Sequence, residues 1–150
     1  MSISIVRLGT PRKPGEGLRV GTVRRPPRGV PKALYSEQDW YDVWFPNLAP
    51  SADTMKLGRN AGSDAQWELF ARKYKAEMAA PEARHDLELL AALSHSTDFS
   101  VGCYCENEQR CHRSILRQLL AECGAKIIGE ANEPADKPEH SLTTGRQKDA

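Results

Sequence analysis

Residues 98–128 restrict the fold of this chain more than any other stretch. DFSVGCYC (98–105) reads as a buried strand, CHRSILRQLLAECG (111–124) as an amphipathic helix and AKII (125–128) as the start of a second strand. Ile115, Leu116, Leu119, Leu120 and Cys123 recur at helical spacing, and Gly124 stands where a helix C-terminus takes glycine. Strand, helix and strand in that order form a crossover unit, which belongs to parallel sheets. The expected fold class is therefore α/β, a small three-layer structure with a mainly parallel sheet and flanking helices.

The rest of the chain fits that frame. SISIVRL (2–8) and GLRVGTV (17–23) are extended candidates, separated by the turn-forming TPRKPGEG. RRPPRGVPK (24–32) carries three prolines and three arginines, so it is a loop from which arginines project. Trp40, Tyr41, Trp44 and Phe45 cluster at a core edge or beside a ligand. The clearest helix is 63–78, opened by a capping box of Ser63 and Gln66. Its stripe is Trp67, Phe70, Ala71, Tyr74 and Met78, with Trp67 expected to anchor the core. Pro81 opens another helix over 81–93. One domain is expected over 1–128. Residues 129–150 have no aromatic and one leucine, so a disordered tail is expected there.

No apolar run reaches the roughly 18 residues of a membrane helix, and no secretory leader is legible. The four cysteines sit at 103, 105, 111 and 123, a clustering unlike a spread disulfide framework. A reducing, cytoplasmic setting is the expectation, with no membrane partner. Charge is uneven. The first 35 residues hold eight basic side chains against the single acid Glu16, a net +7. With +1 overall, the other 115 residues carry −6. A basic edge of this kind suits an anionic partner or a solvated arm.

The chemistry-bearing stretch is VGCYCENEQRCHRSIL (101–116), wrapped around one strand-to-helix turn. Ligands of open α/β sheets gather at the carboxyl ends of strands, and a helix N-terminus offers free N–H groups to an anion. Three readings compete. In the first, Arg24, Arg28 and Arg113 hold a phosphorylated small molecule or nucleotide, with Cys111, His112 and Glu106 as candidate catalytic residues. The helix field would make Cys111 the thiolate. Neighbours on a helix point about 100° apart, so Cys111 and His112 are not expected to face each other. This reading needs no cofactor and leaves open whether the chain is an enzyme. In the second, Cys103, Cys105, Cys111 and His112 bind zinc or iron, although C-x-C-x5-C-H departs from the usual paired spacing. In the third, the basic N-terminal segment binds nucleic acid, which no recognised motif favours.

The chain also resembles the YeaO-like proteins, domain-of-unknown-function family 488. Arg24, Pro27, Arg28 and Gly29 resemble that family's D-R-L-W-P-R-G motif, and Leu48-Ala49-Pro50-Ser51 its L-A-P-S segment. Trp67, Phe70, Tyr74, Glu77 and Met78 resemble its helix motif. Cys111-His112-Arg113, with Glu106 before it, resembles its Cys-Glu and C-H-R turn. The likeness runs from about residue 3 to residue 128. Two positions depart: Val23 stands at the family's Asp and Pro26 at its first Trp. The resemblance implies a compact α/β domain and brings no established activity. It singles out the arginine loop and the C-H-R turn, which would share one sheet edge.

Overall fold

A computed structural model describes residues 1–128. The expectation of a disordered tail over 129–150 falls outside those residues. Four strands, β1 (Ile3–Arg7), β2 (Leu18–Gly21), β3 (Val43–Trp44) and β4 (Phe99–Cys103), form one sheet in the order β1-β4-β2-β3. Every pairing is parallel. Ile3 is bridged in parallel to Ile127, which extends the sheet beyond β1. The chain is therefore α/β with a parallel sheet, and the 98–128 crossover is present.

β4 lies between β1 and β2, and all five of its residues are buried. A strand covered on both faces reads as a continuous apolar or small-residue run, as FSVGC does. Among the described residues there are four helices: α1 (Ala52–Arg59), which the sequence patterns above do not anticipate, and α2 (Asp64–Met78), α3 (Pro81–Leu93) and α4 (His112–Glu122), which follow from them. They pack on the sheet face that carries Ile3, Val20, Phe99 and Val101. Loops close the opposite face. There Arg19, 1% exposed, pairs with Glu16 at 2.9 Å, and the Tyr41 ring covers Gly21. A Cβ at position 21 would stand 2.4 Å from that ring, so only glycine fits. The third layer is thus made of loops and 3-10 turns, and the helices share one side.

The N-terminus of α2 departs slightly from a closed capping box. Ser63 accepts from the Gln66 N–H, but the Gln66 side chain accepts from Gly62 instead of Ser63. The stripe also weighs differently from expectation. Trp67 is half-buried under Arg110, whereas Tyr74 is fully buried and donates to the Leu48 carbonyl at 2.6 Å. One helix turn on, Glu77 accepts from the Ser51 N–H at 2.7 Å, from the Ser51 hydroxyl and from Thr54 Oγ1. Ser51 caps α1. Glu77 therefore joins the LAPS segment to α2 and fixes where α1 starts.

Tyr74→Ala is expected to cost about 3–5 kcal/mol, as aromatic truncation in a core does, and Trp67→Ala less than half of that. Urea midpoints of the two variants test the order; equal losses would contradict the burial difference. A second expectation concerns acid. Burial alone would raise the Asp42 carboxyl, but hydrogen bonds from Arg12, the Arg19 N–H and Ser36 prevail and hold it down at about 2. The unfolded chain therefore takes up that proton first, and the stabilisation is lost as pH falls from about 4 to about 2. Solvent screening limits the effect to about 1 kcal/mol. Asp42→Asn should flatten this part of the stability profile, and an unchanged slope would refute the assignment.

Candidate functional site

At the carboxyl ends of β1, β2 and β4 the sheet opens into a groove of about 1070 Å³. Each wall has a local cause. The arginine loop leaves β2 with prolines at 26 and 27, and Gly29 takes φ +75°, which lets the chain turn back. Three hydrogen bonds fix the loop. Trp44 Nε1 donates to the Val23 carbonyl at 2.7 Å, Arg24 Nε to the Pro50 carbonyl at 2.6 Å and the Tyr104 hydroxyl to the Arg25 carbonyl at 2.9 Å. Arg24, Arg25 and Arg28 line the groove from this loop, Arg7 from the end of β1 and Arg59 from the last turn of α1. Among the described residues, no carboxylate lies within ion-pairing distance of Arg24, Arg25, Arg28 or Arg59.

The floor comes from β4 and the start of α4. Cys103 ends β4 and Cys105 follows it; both line the groove with His112. Between them and α4, Asn107 caps a short 3-10 turn over Glu108–Arg110. Cys111 is the N-cap of α4, with φ −128° and ψ 151°. That extended backbone overturns the helical-angle argument. Cys111 lies outside the helix, so its Sγ approaches His112 Nδ1 to 3.9 Å and the two side chains do converge. Cys103 Sγ lies 3.8 Å from Cys105 Sγ. The ligand atoms of Cys103, Cys111 and His112 all lie within 4.8 Å of one another.

His112 is 3% exposed, and its Nε2 lies 2.8 Å from the Thr22 carbonyl. A carbonyl only accepts, so Nε2 carries the proton and Nδ1 presents a lone pair to the thiols. Burial pushes the imidazole down to about 4, which keeps it neutral near neutral pH. The thiols are unequal. Hydrogen bonds with Cys105 and Cys111, and burial after them, push Cys103 far up. The Cys103 hydrogen bond lowers Cys111, but the bond with Cys105 and burial outweigh it and raise this thiol to about 11. Cys105 is the exposed one, held well below the ordinary thiol range by hydrogen bonds from Cys103 and Cys111. Cys111, expected to be the thiolate, is buried at 2% exposure, and the thiol of the cluster that meets solvent is Cys105.

The other candidates fall in two groups. Arg24 and Arg28 share the groove with Cys103, Cys105 and His112. Cys111 and Arg113 sit behind its wall, 2% and 4% exposed. Arg113 donates to the Cys105 carbonyl at 2.6 Å, while its buried Nε has no hydrogen-bond partner. Glu106 is away from the cluster, 85% exposed and 3.5 Å from Arg7. Sequence reasoning missed Arg7, Arg25, Arg59 and the Thr22 carbonyl. Arg7 ends a strand and could have been flagged on that ground. Arg59 and Thr22 give no signal, because the sequence pattern marks no helix over 52–59 and a main-chain carbonyl has no residue signature.

In reduced, chelator-treated protein, Cys105 should be the first thiol alkylated by iodoacetamide, by about tenfold or more over Cys103 and Cys111. Peptide mass mapping over a time course reads this directly. Faster labelling of Cys111 would contradict the order of exposure.

The family described as DUF488-N3a, active DUF488-N3 subclade, matches residues 3–124. No curated protein and no solved structure matches the chain.

Proposed function

The chain belongs to the DUF488-N3a family, and from that premise and the shape of its groove we propose that it binds a phosphorylated small molecule or nucleotide at the carboxyl edge of the sheet. One observation carries this reading: Arg24, Arg25, Arg28 and Arg59 line a single concave surface with no carboxylate to neutralise them among the described residues. Guanidinium groups present paired donors suited to phosphate oxygens. Their loop is already held by three hydrogen bonds, so little ordering entropy is lost on binding. Arg24 spends its Nε on Pro50 and keeps its terminal nitrogens for the ligand.

Of the candidate reactive groups, Cys105 is the thiol exposed at this groove, while Cys111 is buried behind its wall and Glu106 faces solvent beside Arg7. Arg113 is reassigned from ligand contact to support, because it holds the Cys105 carbonyl from behind the wall.

Calorimetric titration with inorganic phosphate and a panel of 5′-nucleotides tests the proposal. Arg28→Ala should weaken binding about tenfold, which is about 1.4 kcal/mol, with stability changed by less than about 0.5 kcal/mol; Arg24→Ala should weaken binding as well and also lower stability, since it removes the donor to the Pro50 carbonyl. Arg113→Ala should also lower stability, since it empties a buried position and removes the hydrogen bond to the Cys105 carbonyl. Absence of saturable binding to every member of the panel would sink the reading. Tight, steeply salt-dependent binding of an oligonucleotide alone would do the same and favour a nucleic-acid partner.

A further inference from the structure

We propose that Cys103, Cys105, Cys111 and His112 form a closed, four-ligand site for a divalent metal, zinc in the first instance, beneath the arginine groove. The inference stands apart from the phosphate reading, since it rests on the floor of the groove and not on its walls.

Three observations carry it. The first is spacing. Zinc–sulfur bonds of about 2.3 Å in a tetrahedron put neighbouring ligand atoms about 3.8 Å apart. The cluster already has Cys103 Sγ 3.8 Å from Cys105 Sγ and Cys111 Sγ 3.9 Å from His112 Nδ1. Cys103, Cys111 and His112 converge within 4.8 Å as a set, and Cys105, which lies outside that set, reaches it through its 3.8 Å contact with Cys103, so a rotation of the exposed Cys105 side chain completes the four ligands.

The second is the histidine clamp. Metal-bound histidines almost always donate their second ring N–H to a carbonyl, a carboxylate or water, which fixes the tautomer and the ring plane. The 2.8 Å contact of His112 Nε2 with the Thr22 carbonyl is such a clamp, and Tyr74 packs edge-on against the ring. Nδ1 faces the Cys111 sulfur at 3.9 Å.

The third is charge. Arg113 is 4% exposed, has no carboxylate partner among the described residues and keeps one buried N–H unpartnered. An isolated buried guanidinium is costly. Three thiolates, a neutral imidazole and a divalent cation sum to −1, which balances Arg113. On binding, each of the three cysteines that still holds a proton releases it to solvent, the metal takes the three sulfur lone pairs and the Nδ1 lone pair, and no electron is transferred.

The test uses the full chain purified under reducing conditions without chelator. Its metal content is measured by mass spectrometry. Chelator-stripped protein is then titrated with zinc and with cobalt(II). One equivalent per chain, with a cobalt spectrum showing thiolate charge transfer and intense tetrahedral bands, is the expected result. Cys105 is exposed, so Cys105→Ser should fold; it should weaken zinc binding beyond the 10- to 100-fold typical for loss of an outer-shell partner. Cys123→Ser, remote at the far end of α4, should bind as the parent does. His112→Ala is scored only if circular dichroism shows it folded, and Cys105→Ser decides otherwise. Three results would overturn the proposal: no stoichiometric uptake of either metal, octahedral cobalt, or parent-like affinity in Cys105→Ser. Phosphate takes no part in these titrations, so their failure would leave the groove reading standing.

Discussion

The hydrogen bond from His112 Nε2 to the Thr22 carbonyl ties together what the site needs. Thr22 follows β2, and its N–H and hydroxyl both bond to the Gly102 carbonyl in β4, each at 3.0 Å. His112 starts α4. One buried imidazole thus fixes the first turn of a helix against the ends of the two central strands. The thiols, the arginine loop and the groove take their positions from that junction. A neutral ring is required there, because a charged one would be buried beside Arg113.

A second junction supports the first from outside. Tyr74 and Glu77 grip the LAPS segment from α2, and the Pro50 carbonyl of that segment receives Arg24. Four of the motifs that resemble family 488 are therefore in physical contact or one hydrogen bond apart. Val23, where the family pattern has Asp, lies on the groove wall and is 3% exposed. An apolar side chain at that point removes a carboxylate from beside the thiols, which leaves the groove more basic.

The crossover at 98–128, the long helices and the arginine loop were legible because periodicity, glycine and proline act over a few residues. What sequence could not supply was side-chain direction at boundaries. Cys111 and His112 were expected to diverge because both were placed inside the helix. One residue of N-cap backbone makes them converge. The same limit applies to the thiols, since identical side chains separate into exposed Cys105 and buried Cys103 only once the sheet edge is built. Trp67 and Tyr74 share one stripe, and only the packing of Leu48 and Arg110 shows which of them is the anchor.

The strand order has a consequence for how the chain is made. β1 and β2 never pair with each other; each pairs with β4, which lies between them. On the ribosome, β1 emerges with no strand beside it, and β2 with only the two-residue β3, until residues 99–103 follow them. Their edges stay unsatisfied through most of synthesis, and the sheet closes late by insertion of its central strand. Such non-local closure is slow and exposes apolar edges to other chains. The groove, whose walls come from residues as far apart as Arg7 and His112, exists only after that step.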